Sequence, residues 1–488
     1  MRWRGIFFLL GSVLLYLAFA MLVPLLWAMW QASATRLDFS ITIILTITVA
    51  WLFLRLGRPP TELRLQDAFA FVTLTWLFAS LFSALPYYFS GCVPTLIDAY
   101  FEAMSGFSTT GATVIISVES VDQAILLWRA MTHWLGGMGI IVLFVAVFPR
   151  LGVSAGLLLQ AETPGPMTQT VTPRVANSAK ILWLIYIALT AAQTIILNSV
   201  GFTFFEALTH AFATMATGGF STKNAGVASF DNPAAEWVII VFMLLAGVNF
   251  ALYYHLLLGN IRQVLKDEEL RFYLIVVIVA TLLLFISLLP LPHAPLAALR
   301  HALFQVSSVV TTTGFANVDF DLWPEFSRML LLLLMFVGGC GGSTGGGLKQ
   351  IRILVLGKYL LRELRKAIRP WEVAPLRIGD QVISQQLINR IIAFVCLYLL
   401  IFSSAVLYLT SLGCDFTTSL SAAASALGNI GPGLAAVGPM HTYAKLTAGA
   451  KICLTLLMLI GRLEIYTVLS FLLPESWYRH KASWRQLK

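Results

Sequence analysis

The chain has 488 residues, 58% of them hydrophobic and only 11% charged, with a mean hydropathy of +0.84. A soluble domain carries about a quarter charged residues, so this composition excludes a soluble globular protein and implies side chains facing lipid or other buried helices. The formal charge of +9 would suit a nucleic-acid binder, but the basic residues are distributed as a topology signal, and no nucleic-acid partner is expected.

A hydrophobic run of about 20 residues crosses the hydrocarbon core. Candidate spans lie near 5–30, 40–57, 67–90, 125–148, 180–200, 235–258, 272–291, 327–357, 386–412 and 446–473. Ten spans put both termini on one side. Met1-Arg-Trp-Arg4 and the apolar residues after it have the look of a signal peptide. The run to Trp30 is too long for one and no small-residue cleavage site follows, so it is read as a retained helix. The five cysteines have no metal-ligand spacing and are read as packing residues.

Four shorter apolar runs, near 98–108, 205–216, 300–311 and 416–427, are too short to cross. Each leads into a small-residue turn: Phe107-Ser-Thr-Thr-Gly-Ala-Thr113, Thr217-Gly-Gly-Phe-Ser221, Thr311-Thr-Thr-Gly-Phe315 and Asn429-Ile-Gly-Pro-Gly433. Aligned on Gly111, Gly219, Gly314 and Gly431, the turns recur at intervals of 108, 95 and 117 residues. Repetition of this kind is an architectural signal. It divides the chain into two N-terminal helices (1–66) and four repeats (67–179, 180–271, 272–385 and 386–488), in an all-α polytopic membrane protein. Non-helical backbone at membrane depth must be buried or line a cavity, so the short runs are expected to be re-entrant half-helices.

Lys and Arg in the loops set the orientation. With the N-terminus inside, inner segments carry 23 and outer segments 4. Both termini are then cytoplasmic and the four turns face outward. Eleven acids on the outer side, among them Asp98, Glu102, Glu206 and Asp415, would concentrate cations; some of them could equally cap helix starts.

A monovalent cation sheds its hydration shell only where other oxygens replace it, and neutral carbonyls do so without trapping it. Aiming carbonyls at an axis needs backbone conformations that glycine adopts cheaply, and Ser and Thr beside the turn can brace it. The expected potassium-binding filter is therefore Thr109, Thr110 and Gly111; Thr217, Gly218 and Gly219; Thr312, Thr313 and Gly314; and Asn429, Ile430 and Gly431. The eighth span breaks at Gly338-Gly-Cys-Gly-Gly-Ser-Thr-Gly-Gly-Gly347, with seven glycines in ten residues. Each costs a helix roughly 1 kcal/mol relative to alanine, so an irregular intramembrane loop is expected there, below the third turn. It lacks the strand and the Gly-Lys-Ser/Thr ending of a nucleotide-binding P-loop. Arg462, in Gly461-Arg-Leu-Glu464, lies near the middle of the last span. A charge there costs about 2.5–3.5 kcal/mol, so it should face inward and donate to loop carbonyls. A buried ion pair with Glu464 of another turn or subunit is the alternative.

With these motifs (SGFSTTGAT, ATGGFST, TTTGF, NIGPG, the glycine-rich break and GRLE), the chain resembles the Trk/Ktr/HKT superfamily of potassium transporters, and within it the TrkH/TrkG-type membrane subunit of bacteria. The resemblance covers nearly the whole chain, including the two extra N-terminal spans. It implies four helix–pore loop–helix units around one pore, a homodimer, and potassium uptake across the bacterial inner membrane, with potassium as the ligand and no covalent cofactor. It also implies a gate made of Gly338, Gly339, Gly341, Gly342, Ser343, Thr344, Gly345, Gly346, Gly347 and Arg462, and a peripheral cytosolic NAD/ATP-binding regulatory subunit of the TrkA type. The chain has no nucleotide fingerprint of its own, and its basic segment 358–377 would suit either lipid headgroups or that partner. In some plant members a serine at the first filter glycine goes with sodium transport, so glycine at all four positions points to potassium. The fourth turn departs, with Asn429 and Ile430 for Thr-Thr and Pro432 after the glycine, so true fourfold symmetry is not expected. A broken-helix secondary transporter remains the alternative. A Ser/His hydrolase is disfavoured: Gly341-Gly-Ser-Thr-Gly345 fits the Gly-x-Ser-x-Gly spacing but lacks the preceding strand of a nucleophile elbow, and no His-Glu-x-x-His pattern occurs.

Overall fold

The computed structural model describes residues 1–60, 64–139, 175–292, 294–371, 375–379 and 381–473. The inner end of the fourth expected span, most of the segment joining the first two repeats, and the basic tail after residue 473 lie outside the described residues. The regular structure described is helical apart from a short antiparallel hairpin, β1 (Arg377–Ile378) with β2 (Gln381–Val382).

The N-terminal pair is α1 (Trp3–Ala20), continued by α2 (Leu22–Trp30), against α3 (Thr35–Leu56). They approach closely where a Cβ on Gly11 would stand 2.7 Å from the Ala50 carbonyl oxygen, the usual device of membrane helices that lack a hydrophobic drive between them. The first repeat runs α4 (Leu65–Phe89), half-helix α5 (Leu96–Phe107) and α6 (Gln123–Gly137). The second runs α7 (Val175–Ser199), half-helix α8 (Phe204–Met215), α9 (Pro233–Ala246) and α10 (Phe250–Leu257). A short α11 (Ile261–Lys266) leads to the third: α12 (Glu268–Leu288), α13 (Pro295–Val310), α14 (Glu325–Leu334) and α15 (Gln350–Ile368). The fourth is α16 (Gln385–Ser411), half-helix α17 (Phe416–Gly428), α18 (Ala448–Leu463) and α19 (Ile465–Leu472).

Six helices among the described residues are long and apolar enough to cross a membrane, and two sharply bent pairs, α9–α10 at 93° and α18–α19 at 115°, bring the number to eight. The chain is an all-α polytopic membrane protein. The outer helices keep an apolar face for lipid: on α12, Ile275, Ile278, Val279, Leu282 and Ile286 are exposed. The half-helices are the reverse. Every residue of α17 from Ser421 to Gly428 is buried, and at 13 residues it reaches only about 20 Å, short of the ~30 Å core. Side-chain caps start three of the four: the Thr95 hydroxyl accepts from the Asp98 amide, Thr203 and Glu206 form a capping box, and the Asp415 carboxylate accepts from the Thr418 amide at 2.9 Å. The fourth, α13, begins with Pro295 in its first turn, where the missing N–H costs nothing.

Candidate ion-conducting site

The four half-helices end in one and the same turn. Thr109, Thr217, Thr312 and Asn429 adopt left-handed backbone, with φ of 55°, 55°, 60° and 55°. The next residue donates its amide five residues back: Thr110 to Ser105, Gly218 to Ala213, Thr313 to Ser308 and Ile430 to Ser425, all at 2.8–2.9 Å. This is the 6→1 bond of a Schellman helix end. A glycine with positive φ follows, at 82° (Gly111), 76° (Gly219), 79° (Gly314) and 109° (Gly431). Left-handed threonine costs of order 1–3 kcal/mol, and local bonds hold it. Thr109 Oγ1 donates to the Ser108 carbonyl at 2.7 Å and Thr217 Oγ1 to the Ala216 carbonyl at 2.6 Å. Asparagine visits this region readily, so Asn429 takes the threonine's place without changing the turn. The fourth turn's departure in sequence is therefore small in backbone and concentrated at Gly431.

The turns close head to tail. A Cβ on Gly111 would overlap the Gly218 carbonyl oxygen, one on Gly219 that of Thr313, one on Gly314 that of Ile430, and one on Gly431 that of Thr110. First meets second, second meets third, third meets fourth, and fourth returns to first. Within this ring the carbonyls of Thr109, Thr110, Gly111, Thr217, Gly218, Gly219, Thr312, Thr313, Gly314, Asn429 and Ile430 accept no hydrogen bond among the described residues. More than nine in ten buried carbonyls are normally paired. A cluster of unpaired ones is chemically suited to a desolvated cation. Gly111, Gly219, Gly314 and Gly431 together line a vestibule above the ring.

Beyond the ring, charge is neutralised locally. Glu102 accepts from Arg129 Nε at 2.6 Å, Thr113 Oγ1 at 3.0 Å and the Val114 amide at 2.9 Å. Arg129 also donates to the Ser221 carbonyl and covers the Phe220 ring, tying the first turn to the second. Asp98 pairs with Lys451 at 2.5 Å and Glu236 with Arg300 at 3.0 Å, while Asp122, Glu206 and Asp415 cap helices. The vestibule lining contains Arg129, Lys223 and His441 and no carboxylate. The capping reading of the outer acids holds for Asp122, Glu206 and Asp415, and Asp98 and Glu102 are held in ion pairs. His210, midway along α8, bonds Ser221 Oγ at 2.9 Å and so braces the second turn.

Beneath the ring lies the glycine-rich loop between α14 and α15. Gly346 N–H donates to Thr312 Oγ1 at 2.6 Å, Thr344 Oγ1 donates to the Met215 and Ala246 carbonyls, and a Cβ on Gly346 would overlap the Gly428 carbonyl oxygen. The loop thereby touches the feet of the second, third and fourth half-helices. Arg462 donates to the Thr344 carbonyl at 2.7 Å and to the Gly136 and Gly137 carbonyls at 2.6 and 2.7 Å, linking the loop to the first repeat. The Glu464 carboxylate pairs with Arg352 at 2.6 Å. Gly338, Gly339, Gly341, Gly342, Ser343, Gly345 and Gly347 complete the loop, with Gly338 folded against Gly347.

Sequence reasoning missed three features here. Lys349 and Arg352, two of the 23 inner basic residues, are buried, and the Lys349 ammonium donates to the Gly345 carbonyl. Glu269 accepts from the Gly341 and Ile351 amides at 2.6 and 3.0 Å, holding both the loop and the start of α15. The break is also not confined to the third repeat. In every repeat the helix after the turn is interrupted: α6 at Gly137, α9 before Gly247, α14 before the loop, and α18 at Glu464, whose φ is 63°. Gly136-Gly-Met-Gly139, Gly247-Val-Asn249 and Gly461-Arg-Leu-Glu464 were the available signals.

A family model described as TrkH, cation transport protein, matches residues 33–478. The chain is 37% identical over 98% of its length to the whole of the Trk system potassium uptake protein TrkH of Salmonella typhimurium, and 33% identical over 94% of its length to 95% of the Trk system potassium uptake protein TrkG of Escherichia coli. The crystal structure of the potassium transporter TrkH from Vibrio parahaemolyticus superposes with a TM-score of 0.88 at 36% identity, covering 98% of this chain and 100% of that one. With a family match across most of its length and a shared fold, the chain belongs to the TrkH family of cation transport proteins.

Proposed function

We propose that this chain is the membrane subunit of a Trk-type system and takes up potassium through the ring of four turns. One observation carries the reading: buried, unpartnered carbonyls from four equivalent helix ends meet in one closed ring. They replace the water around potassium and, being neutral, release it again. The names of its relatives, all potassium uptake proteins of Trk systems, support the choice of ion. The loop is the gate, because it lies against the inner side of the ring and its position depends on Arg462. The ion path crosses the bacterial inner membrane with both termini cytoplasmic, as the surplus of inner Lys and Arg requires. The chain works as a homodimer, and α15, with its basic last turn, serves a cytosolic nucleotide-binding regulator of the TrkA type. Four like-oriented quarters favour conduction over the rocking of two inverted halves.

The test is tracer flux into liposomes holding only this protein, comparing potassium, rubidium and sodium. Potassium and rubidium are expected to enter well ahead of sodium. Gly111→Ser should reduce that discrimination by about tenfold, or ~1.4 kcal/mol; identical ion ratios in the two proteins would remove the filter assignment.

A further inference from the structure

The ring is built from four similar backbones, yet one carbonyl in it is taken. The Tyr443 phenol donates to the Gly431 carbonyl at 2.7 Å, in a buried hydrogen bond. Among the described residues no donor reaches the Gly111, Gly219 or Gly314 carbonyl. Gly431 also has the outlying backbone, at φ 109° against 76–82° for the other three. Tyr443 is fixed from both ends: its amide donates to the Thr113 carbonyl at 2.8 Å and its ring lies 5.6 Å from that of Phe101. Val227 holds the matching place in the second repeat. Its amide donates to the Ala316 carbonyl, two residues past Gly314 as Thr113 is two past Gly111. Valine carries no hydroxyl, so the phenol distinguishes the fourth quarter from the second.

We propose that Tyr443 is a positioning residue that withdraws the Gly431 carbonyl from the outermost ion position, leaving three glycine carbonyls to face the vestibule there. This rests on the filter reading above. The four glycines line the vestibule while Thr312 and Asn429 meet the loop, so the glycine level is the first an entering ion reaches. With one oxygen withheld, the ion keeps part of its water at that level and is held weakly, which suits an entry position rather than a trap. Tyr443 sets the fourth quarter apart in a way that the repeat pattern itself does not encode.

Tyr443→Phe keeps the ring and its packing and removes only the donor. In liposome flux, the half-saturating external potassium concentration should fall by about three- to tenfold, the range one hydrogen bond carries, with maximal flux nearly unchanged. A fluorinated tyrosine at 443, a stronger donor of nearly the same shape, should shift half-saturation upward and covers the case in which the phenylalanine variant does not assemble. Phe101→Leu, which loosens the packing but keeps the hydroxyl, should leave half-saturation in place. An unmoved half-saturation in assembled Tyr443→Phe or in the fluorinated protein, or the same shift in Phe101→Leu, overturns the proposal. Gly111→Ser run alongside separates the two readings: if it alters ion discrimination while Tyr443→Phe does nothing, only this inference falls, and if neither changes anything the filter reading falls as well.

Discussion

The four turns of the ring and the glycine-rich loop are both irregular, glycine-bearing backbone enclosed by helices, and they solve the satisfaction of their polar groups in opposite ways. In the turns, amides are bound back into the half-helices and hydroxyls hold the left-handed residues, while the carbonyls, Gly431 apart, are left without donors among the described residues. In the loop, carbonyls are served by side chains that come from elsewhere or sit at its end: Arg462 on Thr344, Lys349 on Gly345 and Gln350 on Gly338. Amides are served likewise, by Glu269 on Gly341 and Thr312 on Gly346. A segment whose bonds are internal is rigid by construction. One whose bonds are borrowed moves when the lenders do. Glycine therefore has two uses here: close approach of backbones in the ring, and freedom to refold in the loop.

Four changes would break or sharpen this contrast. Gly314→Ala should do the most damage, because its φ of 79° disfavours any side chain and a Cβ would overlap the Ile430 carbonyl oxygen. Potassium flux is expected to fall by about 100-fold or more, which corresponds to ~2.7 kcal/mol or more, in tracer uptake by protein that still inserts. Arg462→Gln comes next. It removes a charge serving three carbonyls, each such bond worth about 1.5–3 kcal/mol. Basal flux should rise about tenfold while ion ratios stay put; unchanged flux with loss of folded protein would instead assign Arg462 to structure alone. Glu269→Gln keeps an acceptor oxygen but weakens its bonds to the Gly341 and Ile351 amides, since charge-assisted bonds are roughly twice as strong. A rise of about two- to threefold in basal flux is expected, smaller than for Arg462. Thr203→Ala, at the start of α8 and away from ring and loop, should cost only ~1 kcal/mol. Thermal unfolding in detergent would register it, with flux ratios unaltered; altered ratios would mean that ring geometry leans on cap strength.

Much of the architecture was legible because membrane helices declare themselves by apolar length. Residues 40–57 and 272–291 match α3 and α12 closely because a bilayer leaves few alternatives. The turns were legible because they recur, and their shared spacing led to Asn429-Ile-Gly431 despite its different residues. The breaks after the turns were less so. Seven glycines in ten residues announce a loop, whereas Gly461-Arg-Leu-Glu464 places one glycine near a break made at Glu464, and Gly247 is an ordinary residue of a membrane helix until its neighbours are known. Lys349 and Arg352 were misread because a loop charge and a buried charge look alike until a carbonyl or a carboxylate is seen beside them.

Hydrophobic length, loop charge and the recurrence of four glycine turns by themselves determined that the chain is a polytopic membrane protein of four repeats with two added helices. These are local properties, set by the cost of exposing polar backbone to lipid. Only the tertiary structure decided that the turns close in a ring, that Asp98 and Glu102 are paired with Lys451 and Arg129, and that the fourth carbonyl is held by a phenol. Each of those depends on which donor meets which acceptor across hundreds of residues, and hydrogen bonds of that kind leave no period in the sequence.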